Sequence, residues 1–374
     1  MKKNLWIALL LAAGMVNAQE LALVKKDGRF GYINKTGEIA IQPKYKVAKN
    51  FSDGLAAAEE NGKWGFINPK GEWVIPASFD DAKYFDSGIC VVSKDKKWFY
   101  IDKKGETLKS PDTDKIFDFE DGFAFVKRGE KVGLINAKFA TVVEPKYDQI
   151  KSFHDGYARV KNSDRWGIID KTGKVIIEPI YDDIGDYNKG VAWAKNGTVF
   201  GLVIEGKFKA IDGVVKIWDF EGQTLTYAKK NEKIGFIDTK GNWVIEPKFD
   251  KAKAFNKGLA PVMIGKKWGY TNTKGDLVIQ PAYNDAEVFS NDGLAPVKEK
   301  DWGFVNESGK MVIPTQYGIT AGGFGGLVAL FRDDEKGFKD GVVRVKNEKK
   351  WGFLKTDGTV LGNQWFEQAE PFKK

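Results

Sequence analysis

Hydrophobic residues come along this chain in short bursts that recur on a fixed stride. In K-W-G-F-I-N-P-K-G-E-W-V-I-P (63–76) the apolar positions are Trp64, Phe66 and Ile67, then Trp73, Val74 and Ile75, separated by Asn, Pro, Lys and Gly. Aligned on Trp64, the same register holds Phe30, Trp98, Val132, Trp166, Phe200, Ile234, Trp268, Trp302 and Trp351. Successive members are 34 residues apart eight times, and the last step is 49 because of an insertion after Pro314. A constant period of this length is the signature of a repeat architecture.

Such a period also suits stacked helix pairs, but the breakers exclude them. Nine of the ten units have a glycine beside the tryptophan register, most have one seven residues on, and most have a mid-unit proline such as Pro43, Pro76, Pro145, Pro179, Pro247 or Pro281. An interior glycine costs a helix about 1 kcal/mol and a proline about 3 kcal/mol. Strands fit instead: Trp64–Asn68, Trp73–Ile75 and the G-L-A-x-V segment typified by Gly258–Val262 are aromatic, β-branched or small. Between the first two lie N-P-K-G (68–71), D-K-T-G (170–173) and N-T-K-G (272–275), which suit a type I turn closed by a left-handed Gly71, Gly173 or Gly275. Each unit is thus predicted to be a hairpin plus a third strand, with the proline ending the second strand.

Alternation places Trp64 and Phe66 on one face and Gly65 and Ile67 on the other, so both faces are covered. The glycine partners of the tryptophans (Gly65, Gly167, Gly269, Gly303 and Gly352) are expected to leave room for an aromatic ring from an adjacent strand. Because Val, Ile and Phe replace tryptophan in the register, Trp64, Trp166, Trp268, Trp302 and Trp351 read as buried volume. Units this small cannot bury their own faces and must stack. The expectation is an all-β tandem array of about ten hairpin-plus-strand repeats, open or superhelical, with one or two propeller-like rings as the alternative. Leu21–Val24 reads as a third strand without a hairpin ahead of it, and the chain closes on a hairpin with no third strand behind it.

The units fall in 19–199 and 234–374, around a degenerate one at 200–233, where Gly213 replaces the proline. It reads as a diverged unit or a junction. Trp98-Phe99 loses the glycine, Val132 and Ile234 lose the aromatic ring, and Phe139 replaces the turn glycine. The insertion (317–338) contains Gly322-Gly323-Phe324-Gly325-Gly326, then Phe331 and Arg332. Without a following Lys-Ser/Thr it is no phosphate loop, and it reads as an extra loop with some capacity for binding.

Residues 1–18 have Lys2 and Lys3 ahead of the apolar run Leu5–Val16, then Val16-Asn17-Ala18 before Gln19. That is a secretory signal peptide, too short to span a bilayer. Its removal takes two lysines and no acid, so the formal charge falls from +8 to +6. The remaining lysines are scattered through turns, which argues against nucleic acid as a partner. Cys90 is the single cysteine and forms no internal disulfide; in G-I-C-V-V it reads as a small buried residue.

The recurring K/R-W-G-F-I-N/D-x-x-G pattern, seen as K-W-G-F-I-N-P-K-G, R-W-G-I-I-D-K-T-G and K-W-G-Y-T-N-T-K-G, resembles the bacterial WG (KWG) repeat proteins over nearly all of 20–374. The resemblance implies an all-β repeat array, often exported, with no established activity.

Chemistry is sparse. His154 is the only histidine, acids recur at turn positions in nearly every unit, and G-x-S-x-G, calcium-loop and zinc-ligand patterns are missing. No catalytic residue, cofactor or metal site is assigned, and no membrane span is expected. The functional expectation is a non-enzymatic, exported scaffold for a protein partner, in the periplasm, on the outer surface or secreted. Carbohydrate or cell-wall binding through exposed rings is the alternative.

Overall fold

The computed structural model describes residues 20–319 and 336–374; the signal-peptide reading (1–18) and the loop Gly322–Gly326 with Phe331 and Arg332 lie outside them. The rest is a succession of ten small antiparallel sheets. The second is typical. Leu55–Glu60 and Lys63–Ile67 form a tight hairpin, Trp73–Phe79 pairs on the outer side of Lys63–Ile67, and Ala48–Ser52 flanks Leu55–Glu60.

The proline does not end its strand. Pro76 sits inside Trp73–Phe79, where pairing passes from Phe66↔Ile75 to Trp64↔Phe79 across a bulge. The bulge accommodates the missing N–H and bends the strand, so the chain crosses at once to Asp81–Ala82, at the edge of the third sheet. These two-residue edge strands carry no periodicity in the sequence. The bulge also defines the glycine. A Cβ on Gly65 would lie 2.5 Å from the Ile75 carbonyl oxygen and 2.6 Å from the Ala77 nitrogen, and Gly31, Gly167, Gly269 and Gly303 meet the same backbone. The expected aromatic ring is the contact only at Gly352, where the Trp365 ring lies 2.7 Å from the site of a Cβ, and in part at Gly235, below Trp243.

The turn follows its expected chemistry. Gly71 (φ +78°) donates to the Asn68 carbonyl at 2.8 Å, and the Asn68 side chain accepts from the Lys70 and Glu72 amides at 3.0 and 3.1 Å. Gly173 and Gly275 take the same conformation, and Phe139 adopts φ +58° without the freedom of glycine. Phe139 is held there by packing against Tyr100 and Phe119.

Both faces of the tryptophan-bearing strand are buried in every unit. The position two after the register holds Tyr32, Phe66, Tyr100, Leu134, Ile168, Leu202, Phe236, Tyr270, Phe304 and Phe353, all buried. The position after that, for example Ile67, Ile169 or Leu354, is buried too. These side chains meet between successive sheets: Ile41 and Tyr32 of the first with Phe51 and Ala58 of the second, Ile75 and Phe66 of the second with Phe85 and Val92 of the third, and so on.

The last interface decides between the forms the sequence left for the array. Ala22, Val24 and Ile33 of the first sheet share a core with Trp351, Phe353 and Phe366 at the chain's end. Backbone bonds complete the junction: Val24 pairs with Ala369, the Glu370 amide donates to the Leu23 carbonyl at 2.8 Å, and Leu21 and Lys373 exchange bonds of 2.9 and 3.0 Å. Ten sheets therefore have ten interfaces among the described residues, where an open row would have nine. The array is joined end to end, as in its propeller-like alternative.

Candidate functional site

The tryptophan register is less buried than its replaceability suggests. Trp268 and Trp302 are 7% exposed and Trp351 6%, but Trp64 and Trp166 are only half-buried and Trp98 is 41% exposed. The core positions are those two and three residues further on. The tryptophans lie at the margin of the core, and a lysine covers them. Fifteen residues ahead of each ring, on the edge strand or just beyond it, Lys49, Lys83, Lys151 and Lys253 place Nζ 4.9, 5.2, 5.8 and 5.1 Å from the centroids of Trp64, Trp98, Trp166 and Trp268. Such ammonium–ring contacts favour the cation electrostatically while the stem covers apolar surface. Arg344, 4.9 Å from Trp351, does the same from another strand.

This lysine register runs from sheet to sheet and acids join it. Glu287 accepts from Lys253 at 2.7 Å and from Lys336 at 2.6 Å, linking the eighth, ninth and tenth sheets. Asp219 accepts from Trp193 Nε1 and from the Asp186 amide, both at 2.8 Å, and burial pushes its carboxyl above the ordinary value. Asp186 in turn faces Arg159 Nε at 3.1 Å. Burial lowers the pKa of Lys49, whose nearest acid, Asp81, is 3.8 Å away. These groups form a charged and aromatic margin along several of the sheets.

A second set of ion pairs clamps the crossing strand. The cation at the head of the tryptophan strand reaches the aspartate 17 residues on: Lys63–Asp80 2.5 Å, Lys131–Asp148 2.6 Å, Arg165–Asp182 2.5 Å and Lys233–Asp250 2.5 Å. The paired lysines hold the Asp80, Asp148 and Asp250 carboxyls below their ordinary value.

Among the described residues no group of three or more His, Cys, Asp or Glu is placed to hold a metal ion, and no helix is long and apolar enough to cross a membrane. His154 lies in a half-buried turn. Cys90 is 1% exposed, and burial raises its thiol pKa steeply. Ellman's reagent is therefore expected to leave the native protein unmodified and to titrate one thiol in denaturant; rapid labelling of the native chain would contradict the burial.

The geometry defines a non-helical repeat scaffold of stacked hairpin sheets. The WG-containing repeat family model matches residues 30–64, 64–98, 98–131, 133–166, 166–197, 234–268, 268–301 and 302–318. These cover more than half of the chain, which belongs to that family. The unmatched 198–233 coincides with the degenerate unit, which nevertheless forms paired strands (Val199–Ile204 with Lys207–Ala210).

No curated protein matches the chain by sequence. Among solved structures it is similar to a eukaryotic initiation factor, at 10% identity and TM-score 0.47, over 95% of this chain and 98% of that one. Kluyveromyces lactis Hsv2p is similar at 10% identity and TM-score 0.25, over 70% and 96%. PorZ, an essential bacterial surface component of the type-IX secretion system of Porphyromonas gingivalis, is similar at 9% identity and TM-score 0.25, over 93% of this chain and 57% of that one. Likenesses this remote transfer no function.

Proposed function

We infer that the chain is an exported, non-enzymatic scaffold that holds a protein partner in the cell envelope or outside the cell. The observation that carries this reading is the use of the repeated residues. The positions two and three residues beyond the tryptophan register are buried in all ten units, and the repeated aspartates serve turns and ion-pair clamps. What recurs builds the frame, which leaves recognition to the residues that vary between units. Carbohydrate binding is the weaker reading, because it needs flat exposed rings and the tryptophans of the register other than Trp98 are half or fully buried.

The experiment is to express the full precursor in a bacterial host, crosslink intact cells and purify the chain from the envelope and culture medium. The expected result is a mature protein whose mass begins at Gln19, with one defined protein attached. A chain retained with its leader in the cytoplasm would overturn export. Sedimentation with cell-wall polysaccharide and no crosslinked protein would overturn the scaffold in favour of the carbohydrate reading.

A further inference from the structure

In nine of the ten units the residue in the tryptophan register is flanked on its outer side by the crossing stretch of chain, as Trp64 is by Phe79, Trp166 by Tyr181 and Trp268 by Tyr283. Trp98 is the exception. The outer side of Lys97–Asp102 is met only at its far end, by the Ile101↔Thr107 bridge and the Leu108 amide on the Tyr100 carbonyl at 2.9 Å.

The sequence explains the gap. Lys109 stands where the crossing strands bury Ile75, Val143 or Ile177, and Thr113 stands where they carry Phe79, Tyr147 or Tyr181. The segment is drawn to the fourth sheet instead. The Thr113 hydroxyl accepts from the Lys127 amide at 3.0 Å, and Asp112 pairs with Arg128 at 3.3 Å.

What remains is an open sheet edge with its own chemistry. The hairpin turns on Asp95 and Lys96, both at positive φ (51° and 63°), which is a two-residue turn of the primed type. From it the pairing alternates, so Trp98, opposite Ser93, directs its N–H and C=O outward to the side no strand occupies. The Trp98 ring is 41% exposed even with Lys83 over it. Lys97 lacks the clamp that Lys63, Lys131, Arg165 and Lys233 have, and among the described residues Lys94, Lys96 and Lys97, all exposed, have no ion pair.

We propose that the edge Lys97–Phe99 is a docking site that takes an extended acidic segment of a protein partner as an added strand. An open edge recruits a strand through its backbone groups, with side-chain sites giving specificity. Here Trp98 offers the apolar contact and Lys94, Lys96 and Lys97 the charge. The chain's own crossing strands show the matching chemistry: they carry an acid beside the proline and an aspartate just after the ring, as Glu178 and Asp182 do. This site rests on the reading of the chain as a scaffold for a protein partner.

The test uses the full chain and a fluorescent peptide V-I-I-E-P-I-Y-D-D, the sequence of Val175–Asp183, followed by anisotropy. Saturable binding is expected, weakened at least tenfold by Lys97→Glu. It should be lost in Lys109→Ile/Thr113→Tyr, which restores the missing crossing strand and is expected to fold at least as stably and to shift tryptophan emission to the blue. Binding unchanged in that double variant, or no saturable binding to the wild type, overturns the proposal. So does equal binding of polyglutamate, which would reduce the site to charge alone, or a wild-type dimer that the double variant abolishes, which would make a second copy the occupant. If the double variant still retains the partner crosslinked in the envelope, the edge is refuted and the scaffold stands.

Discussion

Gly65→Val is expected to destabilise the protein by about 3 kcal/mol or more, at the upper end of overpacking substitutions. The added Cβ would lie 2.5 Å from the Ile75 oxygen, 2.6 Å from the Ala77 nitrogen and 2.8 Å from the Ala77 Cα. These are backbone atoms of a bulge pinned on both sides, by Phe66↔Ile75 and Trp64↔Phe79, so no side-chain rotation relieves the overlap. The adjacent Trp64→Val should cost much less, because Trp64 is half-buried and Val132 occupies the same register elsewhere. Equilibrium unfolding in guanidinium compares the two. Equal losses, or a larger one for Trp64→Val, would refute the backbone contact as the reason for the glycine. Gly352→Val is the internal comparison: its obstacle is the Trp365 ring, which has rotamers available, and its loss should be smaller.

Deleting residues 366–374 is expected to cost about 5 kcal/mol, the top of the range for removing one buried aromatic side chain from a core. The deletion takes away Phe366 and Ala369, which are 2% and 1% exposed, and every backbone bond to Leu21–Lys25. It also strips part of the covering from Ala22 and Val24, which keep Trp351, Phe353 and Leu361 from the chain's end. The unfolding transition should broaden, because an opened array frays from its new ends while a joined one has none. A deletion variant as stable and as cooperative as the wild type would show that the junction contributes nothing.

The local features of this fold were legible in the sequence. The stride, the hairpin and the left-handed Gly71, Gly173 and Gly275 follow from turn chemistry within a few residues. The features that depend on distant chain were not. The unmatched strand Leu21–Val24 and the unfinished last hairpin pointed to an end-to-end junction, but that its partner is Gln368–Ala369 could not be read, because a pairing of two residues leaves no pattern. The tryptophans drew attention as the largest residues, yet the consistently buried positions are Phe66 and Ile67 and their counterparts, because the lysine cover reaches only the outer ring. The glycine beside tryptophan was a visible signal with an invisible cause, since a bulge that brings backbone against it has no residue type of its own beyond the proline. Lys109 and Thr113 were equally visible and gained meaning only once the crossing strand showed what belonged in their places.

The junction of Leu21–Lys25 with Gln368–Lys373 also governs how such a chain can change its length. In an open row a unit can be gained or lost at the cost of one boundary, and the remaining angles are untouched. In a circle the same event forces every other interface to take up a share of the altered turn. A change of copy number is therefore opposed by the geometry of the whole circle, in which even the diverged unit 200–233 fills its place, with Leu202, Ile211, Val214 and Phe220 buried. Extra length between two strands, as between Met311–Tyr317 and Val342–Asn347, adds residues without adding a sheet to the circle.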